Sequence, residues 1–325
     1  MLRNRIYYGL KPFVPESVRA AIRRRLAMRL RRQVGDVWPV MPGSESPPEN
    51  WAGWPGGEKF AFVLTHDVES RIGLGKCRSL MQLEMELGFR SSFNFVPEGD
   101  YRVPGELREE LTDGGFEVGI HDLKHDGHLF ASHRGFKRCA VRINDYVREW
   151  GASGFRSGLI LRNLDWLHDL DVQYDASTFD TDPFEPQPDG RHTIFPFWVP
   201  RPTGSSINGQ EPGSNSSSKR GYVELPYTLP QDSTLFLVLR ETTPEIWMRK
   251  LDWIVEHGGM ALVDVHPDYI SFSGSRRTTT EYPVALYREF LTYVKTRYAG
   301  QYWHALPREV AAHLLEGPAL SQCQA

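Results

Sequence analysis

Two histidines four residues apart follow an apolar run in Glu117-Val118-Gly119-Ile120-His121-Asp122-Leu123-Lys124-His125-Asp126, and a carboxylate stands directly after each. If the chain turns helically after Ile120, side chains at i and i+4 share a face. Two imidazoles placed in that way can hold one metal ion. Upstream, the strand-like run Phe60–Thr65 opens into His66-Asp67-Val68-Glu69, which sets carboxylates at the C-terminal end of a strand. Imidazole together with carboxylate is a usual ligand set for zinc or a similar divalent ion. Arg156, in Gly154-Phe155-Arg156, and His266, directly after Met260–Val265, are two further reactive side chains at the ends of apolar runs.

The elements that must position these residues alternate in period. Strand-like runs at 60–65, 91–96, 116–120, 154–156, 194–199, 222–225, 234–239 and 260–265 are interleaved with helical patterns. The helices are expected near 74–87, 104–113, 135–150, 163–169, 244–257, 283–298 and 307–315. Such alternation predicts a parallel sheet with crossover helices. Asp67, His121, Arg156 and His266 each fall at or just past the end of a different strand, which is where barrel enzymes assemble their sites.

Composition sets outer bounds. A chain of 325 residues, 40% of them hydrophobic, can bury one large core. A net charge of −3 argues against a general nucleic-acid binder. Cys77, Cys139 and Cys323 lie far apart and show neither metal spacing nor a disulfide framework, so reduced thiols in a cytoplasmic protein are the plain reading. No run of about 18 apolar residues is present to span a membrane. The first stretch, however, is strongly basic: a helix is expected to about Val34, with Val18, Ile22, Leu26 and Leu30 on one stripe among seven arginines. A helix of this kind can lie on an anionic membrane surface, or pack on the domain with its arginines in water. Residues 1–57 thus read as a basic arm and a Pro/Gly/Trp linker, 58–317 as the barrel with a flexible insertion at 201–220, and 318–325 as a tail.

The order Thr-x-Asp, His-x-x-x-His, Phe-Arg and a hydrophobic strand ending in His resembles the NodB-homology polysaccharide deacetylases, carbohydrate esterase family four, over roughly residues 58 to 315. The resemblance implies a distorted (β/α)7 barrel, here with a basic N-terminal helical arm. It also implies metal-dependent removal of acetyl groups from a sugar, N-acetyl before O-acetyl, in surface-polysaccharide or lipopolysaccharide metabolism. One divalent ion is implied, zinc first, with cobalt, nickel or manganese as alternatives. The partner would be an acetylated sugar or saccharide.

Carried over residue by residue, the resemblance makes His121 and His125 metal ligands, Asp67 the general base, Arg156 the residue that holds Asp67, and His266 the general acid. Thr65-His66-Asp67-Val68-Glu69 stands where the family has Thr-Phe-Asp-Asp-Gly, so Val68 replaces the second aspartate, which binds the metal. Glu69, two residues beyond Asp67, would share its face and could reach the same ion. The competing assignment makes Asp67 the third ligand. Asp175, Asp180 and Asp264 all qualify to orient His266, and Asp180 and Tyr227 are candidates for sugar contact. Two further functions stay open: hydrolysis of a non-sugar C–N amide bond, and a metal-free barrel that binds carbohydrate or assists assembly.

Overall fold

Nine consecutive buried residues make β1 (Phe60–Val68) the centre of the computed structural model, which describes residues 16–35, 37–185, 187–202, 221–274 and 278–317. A strand buried on both faces reads as a continuous apolar run, as this one does up to Leu64. β1 pairs in parallel with β2 (Ser92–Phe95) on one side and β8 (Met260–Asp264) on the other. From β2 the sheet continues in parallel through β3 (Glu117–His121), β4 (Gly154–Arg156), β5 (Tyr174–Asp175) and β7 (Gly221–Glu224). β6 (Phe197–Pro200) adds antiparallel to β7, and β11 (Tyr302–His304) adds in parallel to the start of β1. A short separate pair is formed by β9 (Ile270–Ser271) and β10 (Tyr282–Pro283).

Closure between β7 and β8 comes from irregular backbone, the amides of Thr228 and Leu229 donating to the Leu262 carbonyl at 3.0 and 3.1 Å. The result is a distorted α/β barrel of seven principal parallel strands, β1 to β5, β7 and β8, as the resemblance implied. Crossover helices cover it: α2 (Arg71–Leu87), α3 (Gly105–Asp113), α4 (His133–Trp150), the short α5 (Leu164–Leu167), α6 (Glu245–His257), α7 (Val284–Arg297) and α8 (Pro307–Glu316). Their limits follow local chemistry. In α4, Ser132 accepts from the Gly135 amide at the start, the predicted stripe Phe136, Ala140, Ile143 and Val147 is buried, and Gly151 ends the helix at φ 63°.

Two expectations are corrected, and the arm helix takes one of the two seats expected for it. Residues 234–239, read as a strand, lie in a π-helical turn, Ser233–Leu239, begun by the Asp232 side chain accepting from the Ser233 amide. A short apolar run does not by itself distinguish buried helix from buried strand. The stretch 41–57, read as a linker, lies against the barrel, with Trp54 only 5% exposed and its indole donating to the Gly258 carbonyl at 2.7 Å. The arm helix α1 (Glu16–Val34) packs on the Ser233–Leu239 turn through Ala27, with Met28 and Val34 half-buried, while Val18, Ile22 and Leu26 stay exposed. The insertion at 201–220 lies outside the described residues except for its first two, as does the tail at 318–325.

Candidate metal centre and active site

Strand alternation sorts the first motif. Thr65 and Asp67 face the barrel interior, where Arg156 and Asn94 meet them, while His66 faces the helices and bonds to Glu84 of α2 at 2.8 Å. Val68 falls on the same side as His66 and is fully buried. The next inward residue is Glu69, just past the strand. Its amide donates to Asp268 Oδ2 at 2.9 Å, and Asp268 also accepts from the Ser70 hydroxyl and, at 3.3 Å, from the Gly73 amide at the start of α2. The backbone of Glu69 is therefore fixed, and its Oε2 accepts from Tyr269 Oη at 2.6 Å. Its other oxygen, Oε1, lies 3.2 Å from His125 Nε2.

The two histidines come together by a route the spacing did not suggest. After β3 the chain forms a loop rather than a helical turn, with Asp122 at φ 58° and His125 at φ 55°. The left-handed backbone at these residues brings the imidazole centroids to 4.9 Å. Leu159 and Ile160, in the loop after β4, also have positive φ. Four such residues in two adjacent loops are a concentration of backbone strain typical of functional sites. Gly158 makes the approach fit, since a Cβ there would stand 2.5 Å from Asp122 Oδ2 and 2.8 Å from His125 Cδ2.

Glu69, His121 and His125 each offer a ligand atom within 4.8 Å of the others. His121 Nδ1 lies 3.2 Å from the Arg156 carbonyl, which places the ring proton there and leaves Nε2 as a lone pair. The buried Nε2 of His121 lacks a hydrogen-bond partner, while that of His125 faces Glu69; burial would lower His125, but this carboxylate raises it above the usual histidine range. His121 is held below the usual histidine range, burial lowering it more than Asp67 raises it, so it is neutral as a ligand must be. These residues fit a divalent ion. Asp67 meets the other nitrogen of His121, its Oδ2 standing 3.7 Å from Nδ1, and so lies behind the ring rather than beside the lone pair.

A second group of acids and bases flanks this cluster. Asp67 Oδ1 accepts from Asn94 Nδ2 at 3.0 Å and lies 3.4 Å from Arg156 Nε. Burial would raise the Asp67 carboxyl, but His121, Arg156, His266 and the Asn94 bond outweigh it and hold it below the usual carboxylate range. Arg156 is completely buried, donates to Thr65 Oγ1 at 3.0 Å, and also faces Asp264 at 3.8 Å. Burial, with Asp67 nearby, pushes Asp264 up to about 7.

Across the site, His266 Nε2 stands 3.8 Å from Glu69 Oε1 and 3.7 Å from Asp264 Oδ2. Its Nδ1 lies 2.7 Å from Asp232 Oδ1, and its amide donates to Asp232 Oδ2 at 2.9 Å. Tyr282 Oη donates to the same carboxylate at 2.9 Å. Burial would lower His266, but Asp232 and Asp264 raise it well above the ordinary value, so it carries a proton at neutral pH.

The structure thus brings together six residues singled out in the sequence, Asp67, Glu69, His121, His125, Arg156 and His266. The carboxylate on His266 Nδ1 is Asp232, where the sequence offered Asp175, Asp180 and Asp264. Asp232 follows Leu229-Pro230-Gln231 in irregular chain, and only its place beyond β7 could have pointed to it. Asp180 and Tyr227, expected to contact sugar, are turned to internal partners. Asp180 forms a buried ion pair with Lys250 of α6, and the Tyr227 hydroxyl donates to Asp182 at 3.3 Å. A lysine with no exposure needs a counter-ion, and Asp180 supplies it.

No protein-family model matches the sequence, and no curated protein matches it. Solved structures do. A polysaccharide deacetylase, so described, from Mycobacterium smegmatis is 17% identical with a TM-score of 0.56, over 85% of this chain and 96% of that one. One from Pseudomonas aeruginosa PAO1 is 15% identical with a TM-score of 0.58, over 84% and 96%. PuuE allantoinase is 14% identical with a TM-score of 0.56, over 82% and 93%. At these identities the likeness establishes the fold, and this chain carries the barrel that the polysaccharide deacetylases and the allantoinase share.

Proposed function

We propose that this chain is a metal-dependent hydrolase of the NodB-homology type that removes acetyl groups from a sugar in surface-polysaccharide or lipopolysaccharide metabolism, acting in the cytoplasm on N-acetyl in preference to O-acetyl groups. The observation that carries this reading is Glu69 Oε1, set 3.2 Å from His125 Nε2, with the buried Nε2 of His121 left without a hydrogen-bond partner. It offers a third ligand where Val68 has removed one. Glu69, His121 and His125 would hold the ion, zinc first, or cobalt, nickel or manganese. When bound there, a divalent ion polarises the acetyl carbonyl and makes water more acidic.

The other steps fall to the chain's own side chains. Asp67, anionic and held by Arg156, takes the proton from the attacking water. His266, protonated, passes a proton from Nε2 to the departing nitrogen, and Asp232 on Nδ1 orients the ring and stabilises its charge. Two titratable groups whose environments push them in opposite directions form an acid and base pair. An ester would use the same groups.

The allantoinase, as similar in fold as the M. smegmatis deacetylase, favours a second reading in which the scissile bond is a non-sugar amide. Metal content and a substrate panel decide. Purified protein is expected to hold about one divalent ion per chain, as the family's sites do, and Glu69→Ala and His121→Ala are each expected to lose it. Acetate release from N-acetylated sugars, against release of products from small amides, separates the two hydrolase readings. Failure to take up metal after reconstitution would leave a metal-free carbohydrate-binding barrel. Loss of metal in His121→Ala alone would return Asp67 to the ligand set.

A further inference from the structure

The face of α1 that the barrel does not cover has a composition of its own. Val18, Ile22 and Leu26, at i, i+4 and i+8, are 45, 53 and 60% exposed, and they are the stripe that amphipathic spacing marks for burial. Arg25, Arg29 and Arg32 are exposed on the same side of the helix. From Ser17 to Val34 there is no acidic residue to balance them. The opposite side is firmly seated. Ala27 is buried, Arg24 donates to the Val238 carbonyl at 3.3 Å, and Arg31 covers the ring of Trp38 at 5.2 Å. Trp38, 2% exposed, meets Phe184 edge-on at 4.9 Å, and its carbonyl accepts from Arg249 at 2.6 Å. The helix is held by the barrel, so its outer face is presented in a fixed direction.

We propose that this outer face is a docking surface for an anionic phospholipid bilayer. Aliphatic side chains can enter the headgroup boundary while guanidinium groups meet lipid phosphates. A second copy of the chain is a poor occupant, because face-to-face association would press arginine against arginine. A plain polyanion would use the arginines and leave Val18, Ile22 and Leu26 without purpose. The seat of the helix also bears on the site. Ser233–Leu239, on which α1 packs, follows directly from Asp232, the carboxylate on His266. A bilayer held by α1 therefore lies alongside the rim that carries the acid group. An acetylated sugar attached to a membrane lipid would reach that rim at the membrane surface; this extension rests on the hydrolase reading.

The test is flotation of the full-length protein with vesicles of phosphatidylcholine, alone or with a quarter phosphatidylglycerol. The parent is expected to float with the anionic vesicles only, and to be released at high salt. A Val18→Ser/Ile22→Ser/Leu26→Ser variant, altered only at exposed positions and checked for unchanged circular dichroism and metal content, is expected to partition about tenfold or more weakly. Arg25→Gln/Arg29→Gln/Arg32→Gln should weaken binding likewise. A parent that stays in the pellet overturns the proposal. So does a serine variant that floats like the parent, since arginines alone or the first 15 residues would then do the binding. With a vesicle-borne N-acetylglucosaminyl lipid, the serine variant should release acetate more slowly than the parent, with equal rates on a soluble N-acetylated oligosaccharide. Flotation as expected with no turnover of either substrate would leave the docking surface standing and remove the hydrolase reading.

Discussion

Asp232 decides what His266 can do. Burial works against a charged imidazole, yet the carboxylate 2.7 Å from Nδ1 more than offsets it and raises the ring's proton affinity well above the ordinary value. The acid form is therefore kept as pH rises and is lost only on passing that raised value. Asp67 has the opposite shift and stays ionised to lower pH than an ordinary carboxylate. Activity should form a broad plateau with its alkaline limb set by His266. In Asp232→Asn the largest upward influence is gone, so the alkaline limb of kcat/KM should move to lower pH, and kcat should fall by about tenfold or more. An alkaline limb that stays in place would show that another group supplies the proton. His266→Ala should cost about 10² to 10⁴ in kcat with the metal retained.

Between the strands, the loops after β3 and β4 do the fine placement, and each depends on the other. Asp122 donates its amide to the Arg156 carbonyl at 2.8 Å and lies, with His125, over Gly158. Adding one methyl group there in Gly158→Ala would push on both side chains. Metal affinity measured against a chelator should drop by about tenfold or more, as with other supporting groups around a metal, while far-ultraviolet circular dichroism is unchanged. Unaltered affinity would mean that the loop yields freely. Elements of this kind mark the limit of what the sequence discloses. Periodicity located β1 to β4 and the crossover helices, because one face of each is buried and its residue types repeat. It did not show that His121 and His125 meet through positive-φ backbone, since their spacing looks helical. Nor could it find Asp232, which sits in irregular chain next to an apolar run that folds as a π-helical turn. Glu69 was legible because its alternation with Thr65 and Asp67 carries past the end of the strand.

At the scale of the whole molecule, one buried network ties the helical layer to the sheet behind the site. His66, which stands where the resembled family has phenylalanine, lies 2.9 Å through Nδ1 from the Val265 carbonyl and 2.8 Å through Nε2 from Glu84 of α2. Glu84 also accepts from Ser91 at 2.6 Å, at the entry to β2, and from Tyr287 of α7 at 2.5 Å. Three segments thus converge on the carboxylate of α2, which has no solvent exposure, and a fourth, the end of β8, joins through His66. Burial lowers His66 and raises Glu84, but each is outweighed by the other, leaving His66 raised and Glu84 lowered. The stability His66 contributes is full below about pH 6.5 and is lost as pH rises through its raised value. That of Glu84 is full above about pH 4.3 and is lost as pH falls through its lowered one. Glu84→Ala would leave a buried imidazole and two hydroxyls without their partner, at a cost of about 3 to 5 kcal/mol. In urea titrations across pH, the gap between parent and variant should be widest between about pH 4.3 and 6.5 and narrow on both sides. A gap that is small, or flat with pH, would show that His66 and Glu84 are held together as neutral groups and that packing of α2 and α7, not the charge pair, secures the wall behind Asp67.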